Sequence, residues 1–175
     1  MKYYQILIII QLVITFGCSN LNKSENEKIV DEWIGKEIIL PKLKYNDIIK
    51  ENQSGLKIVS RINGNCYSCI SQLTEWKEFM NSFFQNEKFP FYFYLVIADS
   101  SVYIKINKEK IHFDYPVIFD TNDDFRKKNK LSHNNIFHSM LINSDNKVIL
   151  IGNPISNVRM QDLYKKVIDN YYEKN

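Results

Sequence analysis

LKIVSRINGNCYSCISQLTEWKEFM, residues 56–80, is the stretch on which the fold turns. From Leu56 to Ile62 the side chains alternate. Leu56, Ile58 and Ser60 fall on one side, and Lys57, Val59 and Arg61 on the other, which is the two-residue period of a strand. The run is mostly apolar and reads as a central strand. Asn63-Gly64-Asn65 follows as a turn. Beyond it, Ile70, Leu73, Trp76, Met80 and Phe83 recur at helical spacing, with Glu75, Lys77 and Glu78 beside them. Such a stripe is a core face. Cys66 and Cys69 sit three apart where the strand's turn gives way to the helix.

Three readings of that pair are open. It is a dithiol/disulfide couple, a closed structural disulfide, or half of a tetrahedral metal site. Position favours the first. A cysteine at a helix start faces unpaired backbone N–H groups and the positive end of the helix dipole, which favour its reactive thiolate. The third cysteine, Cys18, has to be accounted for separately.

The chain opens MKYYQILIIIQLVITFGCSN. Lys2 provides a positive start, and Ile6–Phe16 is apolar except for Gln11. This run is shorter than the roughly 20 residues that span a bilayer. It has the form of an export signal. Gly17-Cys18 at its end resembles the lipid-attachment box of bacterial lipoproteins, although Thr15 and Phe16 depart from the usual pattern. The expected organisation is a signal peptide over 1–17, a lipidated tether over 18–27 and one domain over 28–175. Cys18 is then the lipidation site. The domain lies outside the cytoplasmic membrane, on the periplasmic side or at the outer membrane, where disulfides persist. Only Cys66 and Cys69 remain for redox chemistry.

The rest of the chain alternates. Glu27–Trp33 reads as a short helix ended by Gly35, Glu37–Leu40 as a short strand, and residues 45–52 as a helical turn. FYFYLVIAD is a continuous apolar strand of the kind buried in a parallel sheet. Residues 101–110 have a weak helical preference. YPVIFD is a strand, and NDDFRKKNKL is a short helix with acids first and bases last, as the helix dipole favours. IFHSMLINSDNKVILIG reads as two strands around a turn at Ser144-Asp145-Asn146. Val158–Tyr172 closes as a helix with Met160, Leu163, Val167 and Tyr171 on one face. Alternating strands and helices imply an α/β layer fold with a mixed sheet. Asp99 and Asp120, each just after a strand, read as loop or helix-capping acids without an acid/base role. Trp33 and Trp76 read as core, His112 and His133 as surface.

Lys and Arg number 23 against 20 Asp and Glu, a formal charge of +3, with no dense basic block, so nucleic-acid binding is not expected. The 11 Tyr and 11 Phe supply a full core.

These segments together resemble the thioredoxin-like superfamily, and within it the membrane-anchored thiol:disulfide oxidoreductases and peroxiredoxin-like bacterial lipoproteins. The resemblance rests on LKIVSRI running into NCYSC at a helix start, on YPVIFD with its following helix, on SMLINSDNKVILIG, and on EWIGKEIILP as the entry segment. It implies a three-layer sandwich around a central mixed sheet, with an extra strand-helix insertion between the second and third core strands. It implies Cys66 as the nucleophile, Cys69 as the resolving thiol, and Asn65, Tyr67 and Ser68 as their immediate surroundings. No cofactor is called for. The partners are a protein thiol or disulfide and, through the N-terminal lipid, a membrane; the chain is expected to be a monomer.

Two positions depart from the family. Asn65 stands where an aromatic residue usually precedes the first cysteine. Near Phe137, where the family has a cis-proline facing the cysteines and helping a partner strand pair there, the chain reads Ile136-Phe137-His138. A trans bond is expected at this point, since a non-proline cis bond costs about 3 kcal/mol. The missing proline keeps one alternative in view: Cys66, Cys69 and His138 as ligands for copper or zinc. The other alternative is a non-catalytic lipoprotein with a structural disulfide.

Overall fold

The computed structural model describes residues 24–40, 55–83, 91–96, 105–113, 115 and 117–173, and for 83, 91–96 and 108 the backbone alone. The signal segment, Cys18, the turn at 45–52 and Asp99 lie outside the described residues.

Helix α1 spans Glu25–Trp33. It begins two residues earlier than expected, inside the segment read as tether. Ser24 and Glu27 account for this. The Ser24 hydroxyl accepts the Glu27 N–H, and the Glu27 carboxylate accepts the Ser24 N–H at 2.8 Å. This is a reciprocal capping box that satisfies two otherwise open donors.

The remaining chain builds one sheet. Strand β1 is Lys57–Asn63, β2 Phe91–Val96, β3 Val117–Phe119, β4 Ser139–Ile142 and β5 Val148–Ile151. Their order is β3-β2-β1-β4-β5. β1 pairs in parallel with β2, and β2 with β3, while β1–β4 and β4–β5 are antiparallel. The sheet is mixed, and the cysteine-bearing segment leaves its central strand. The β3 strand and the following helix α3, Asp124–Asn129, form the insertion, with β3 at the sheet edge. Asp120 caps α3, accepting the amides of Asp124 and Phe125 at 2.8 Å.

Helices α2, Tyr67–Phe83, and α4, Val158–Glu173, share one face of the sheet. Ile58, Ile62, Leu141, Ile70, Leu73, Trp76, Phe79, Met80, Tyr164 and Ile168 form a common buried cluster there. The Phe79 ring meets Trp76 edge-on at 5.7 Å and Tyr164 at 6.2 Å, locking the two helices together. Strand alternation turns Val59, Met140 and Ile142 to the opposite face, and Phe125 of α3, Leu131 and Ile38 are buried outside the first cluster. Helices therefore cover both faces, and the layers number three.

Four details differ from the sequence reading. Leu163 is 41% exposed, and the buried face of α4 is carried by Tyr164 and Ile168. Glu37–Leu40 forms only one bridge, Glu37 to Lys147, in place of a strand. The weakly helical stretch holds a π-helical turn at Asn107–Ile111. Ile136-Phe137-His138 belongs to a 3-10 turn, Asn135–His138, so the hairpin begins only at Ser139. Asn134 starts that turn, its side chain accepting the Ile136 N–H at 3.1 Å. All peptide bonds among the described residues are trans.

Gly152, just after β5, has φ +134, and a Cβ there would lie 2.6 Å from the Met160 side chain. Its carbonyl accepts the buried Tyr164 hydroxyl at 2.8 Å. Only glycine meets both conditions.

Candidate active site

Cys66 occupies the cap position of α2 and forms a disulfide with Cys69, their Cα atoms 5.1 Å apart. Asn63 shapes the approach: its side chain accepts the Asn65 N–H at 3.0 Å and its carbonyl accepts the Cys66 N–H at 3.3 Å. Cys66 Sγ accepts the backbone N–H of Cys69 at 3.2 Å and lies 3.2 Å from the Ser68 hydroxyl. Those donors surround the sulfur that would bear charge. Cys69 sits one turn further in, packed against the core cluster. Tyr67 is 62% exposed, and Asn65 and Ser68 are exposed beside it.

A cleft of about 230 Å³ opens beside Cys69. Ser60, Asn63, Gln72, Asn135, Ser139 and Asn153 contribute its polar lining, with Arg61 and, from the 3-10 turn, Ile136. At its floor the Ser60 and Ser139 hydroxyls are 2.8 Å apart and buried.

Arg61 anchors a charged cluster on the opposite face of the strand. Its Nε and Nη2 donate to the two Asp123 carboxylate oxygens, at 2.7 and 3.0 Å, and Nη1 donates to His138 Nδ1 at 3.2 Å. Arg126 donates to the same Asp123 carboxylate. Burial raises the Asp123 carboxyl, but the hydrogen bonds and charges of Arg61 and Arg126 outweigh it and hold it below its ordinary value. The proton on His138 follows from its partners. Arginine only donates, so Nδ1 accepts; the Ser132 carbonyl only accepts, so Nε2 donates to it at 2.7 Å. The ring is neutral. Burial, with the Arg61 charge adding, pulls its pKa below the ordinary value against the Ser132 bond.

This geometry corrects the metal alternative. Both ring nitrogens of His138 are engaged away from the cysteines. No group of three or more His, Cys, Asp or Glu among the described residues is placed to hold a metal ion. Phe137, 6% exposed, is core, and neither it nor His138 lines the cleft. Asn135 and Ile136 stand there instead. His112 and His133 are exposed, and Trp33 and Trp76 are buried, as read from the sequence. Arg61, Ser60 and Ser139 escaped the sequence reading. A charge and a hydroxyl inside an apolar central strand were the available signal, because each needs a partner when buried.

No protein-family model and no curated protein sequence matches the chain. Solved structures do. A chain described as a thiol:disulfide interchange protein, DsbE, from Chlorobium tepidum superposes with a TM-score of 0.51 at 15% identity, over 68% of this chain and 81% of that one. The C-terminal domain of a chain described as a thiol-disulfide oxidoreductase from Bacteroides thetaiotaomicron gives 0.51 at 16% identity, over 70% and 80%. The thioredoxin domain of a thiol-disulfide oxidoreductase from Bacteroides vulgatus gives 0.50 at 13% identity, over 65% and 79%. With the mixed five-stranded sheet, the helix leaving its central strand through a Cys-x-x-Cys pair, and the closing hairpin and helix, the fold of this chain is thioredoxin-like.

Proposed function

We propose that the chain is an exported, lipid-anchored protein that exchanges thiols and disulfides through Cys66 and Cys69. The observation that carries this is the asymmetry of the pair. Cys66 Sγ meets the helix-start amide of Cys69 and the Ser68 hydroxyl, while Cys69 packs against the core. The arrangement suits an outer nucleophile and an inner resolving thiol. In the reducing direction, the Cys66 thiolate attacks one sulfur of a partner disulfide. The other partner sulfur leaves as a thiolate and takes a proton from water. Cys69 then loses its proton and attacks Cys66 Sγ, which releases the second partner thiol and closes the Cys66–Cys69 bond. Two electrons pass from the pair to the partner. The partner is a protein bearing a thiol or disulfide, by likeness to the oxidoreductases of the same fold.

Export and lipid attachment rest on the apolar run ending at Gly17-Cys18. Replacing Cys18 by alanine is expected to abolish lipid labelling and processing of the precursor.

Redox cycling is tested by equilibrating the full-length protein in glutathione buffers of graded potential and trapping free thiols by alkylation. A reversible two-electron titration of Cys66 and Cys69 is expected. A pair that stays closed at every potential would leave a structural disulfide. Activity on a generic protein disulfide such as insulin is expected to be weak. The amides of Ile136 and Phe137, where a partner strand would pair, are already bound to the Asn134 side chain and carbonyl.

A further inference from the structure

The loop that borders the cleft is closed by one buried ring. Residues 132–138 lead into β4, and Asn135 and Ile136 of this loop line the cleft beside Cys69. Within the loop, Asn134 accepts the Ile136 N–H with its side chain and the Phe137 N–H with its carbonyl, each at 3.1 Å. Asn134 and Ile136 are exposed, and hydrogen bonds open to water hold little by themselves. The bond across the loop's ends is of another kind. His138, 2% exposed, donates from Nε2 to the Ser132 carbonyl at 2.7 Å, which joins the first residue of the loop to the last. Its Nδ1 accepts from Arg61 at 3.2 Å, and Arg61 is itself fixed by Asp123, which Arg126 also holds. The ring is a clasp: one nitrogen closes the loop and the other fastens it to the central strand. It lies on the face of β1 away from the cleft and reaches the cleft only through the loop backbone.

We infer that His138 is a positioning residue for the exchange reaction: its ring holds the 132–138 loop in a closed form that withholds the Ile136 and Phe137 amides, and a protein partner has to open this loop before its strand can pair there. The inference rests on the exchange reading above and names what sets its selectivity. With the loop closed, a small disulfide RSSR′ still oxidises the reduced pair. Cys66 takes one R–S group as R′SH leaves, and Cys69 displaces that group as RSH. Two electrons and two protons have then passed from the protein to RSSR′. A peptide disulfide reacts by the same steps, but the main-chain bonds that would seat its strand compete with Asn134 for the two amides. Glutamine in place of His138 keeps one acceptor for Arg61 and one donor for the Ser132 carbonyl, whereas phenylalanine keeps neither.

The test compares two oxidants of the reduced full-length protein: 2-hydroxyethyl disulfide, and an uncharged extended peptide whose single cysteine carries the same 2-hydroxyethylthio group. Each rate is divided by that of the same disulfide with dithiothreitol, and the peptide value by the small-molecule value, which removes intrinsic reactivity and leaves the peptide preference. His138→Phe is expected to raise that preference about threefold or more, the scale of one hydrogen bond, and His138→Gln to leave it near the wild type. Asn134→Ala frees the Ile136 amide from an exposed position, so folding is not at stake, and is expected to raise the preference as well. Amide hydrogen exchange on the same proteins reads the loop without redox chemistry. Protection at Ile136 and Phe137 is expected to fall about threefold or more in His138→Phe and to be kept in His138→Gln. A peptide preference unchanged in both His138→Phe and Asn134→Ala, or unchanged amide protection in His138→Phe, would overturn the clasp while leaving the exchange reaction standing. So would a His138→Gln protein that behaves as His138→Phe does. Failure of both disulfides to oxidise the pair would overturn the exchange reading and this role for His138 with it.

Discussion

Arg61 and Asp123 face each other in a two-point ion pair, Nε to Oδ1 at 2.7 Å and Nη2 to Oδ2 at 3.0 Å. The pair ties the central strand to the start of the insertion helix, and through His138 to the turn that rims the cleft. Asp123 holds a left-handed backbone, φ 56, which its two arginine partners help to fix. Replacing Arg61 by methionine leaves a half-buried carboxylate with Arg126 alone. Stability to urea is expected to fall by about 2–3 kcal/mol. Lysine at this position is expected to recover only part of the loss, because an ammonium cannot reproduce the planar two-point contact.

His138 makes stability depend on pH in a definite direction. Its folded pKa lies below the ordinary 6.5, through burial first and the Arg61 charge with it, against the Ser132 bond. The unfolded chain therefore binds the proton more readily, and stability rises with pH in this range. The contribution is complete above 6.5 and is lost as pH falls below that value and through the folded pKa. Arg61, Arg126 and Asp123 are the charged groups that act on the ring. Urea midpoints measured between pH 7.5 and 5 should decline in the wild type and flatten in His138→Gln. Asp123, held below 3.8, adds a second decline in acid, lost as pH falls through its own folded value.

The two thiols are expected to alkylate unequally. In the reduced protein Cys66 should react about tenfold faster than Cys69, because it alone combines helix-start donors with access from solvent. Mass spectrometry after timed iodoacetamide quenching reads this directly. Ser68→Ala should slow Cys66 and leave Cys69 nearly unchanged, since the Ser68 hydroxyl lies 3.2 Å from Cys66 Sγ. A faster Cys69 would contradict the assignment of roles.

Asn129 is the polar residue to remove next. It is 5% exposed, and its side-chain amide pairs with both the N–H and the carbonyl of Ile39, at 2.8 and 2.9 Å, as a strand neighbour would. Asn129→Leu nearly keeps the volume but leaves the Ile39 groups without those partners. A loss of about 2 kcal/mol in thermal or urea unfolding is expected, with the thiol potential unchanged.

Most of this architecture was legible in particular residues. Alternation from Leu56 to Ile62 and the stripe from Ile70 to Met80 located the central strand and its helix, because burial on a sheet and on a helix impose different periods. Leu163 misled because Tyr164 sits one position away and a helical face is wide enough to take either; packing against Phe79 chose the aromatic ring. Ser24-x-x-Glu27 carried a capping signal that a purely apolar count passes over. The cysteines announced the site. Its surroundings did not follow from local pattern, since Arg61 finds Asp123 across 62 residues and His138 across 77. In the sequence His138 stood only as an alternative third ligand beside Cys66 and Cys69. In the fold its two nitrogens are committed elsewhere, and no local rule reports such long-range pairing.

The central position of β1 also bears on how the chain reaches this state. One neighbour, β2, follows soon after the cysteine helix, while the other, β4, arrives only near the end, with Ser60 meeting Ser139 across 79 residues. During synthesis the strand with the cysteine pair at its end is therefore expected to wait with one edge open. Closing that edge requires a long loop to be ordered before any contact rewards it, so this step is expected to be slow. An open apolar edge is where strands of different molecules join. The interval before β4 docks is thus one in which strands of different molecules are expected to pair, and intermolecular disulfides through Cys66 and Cys69 with them.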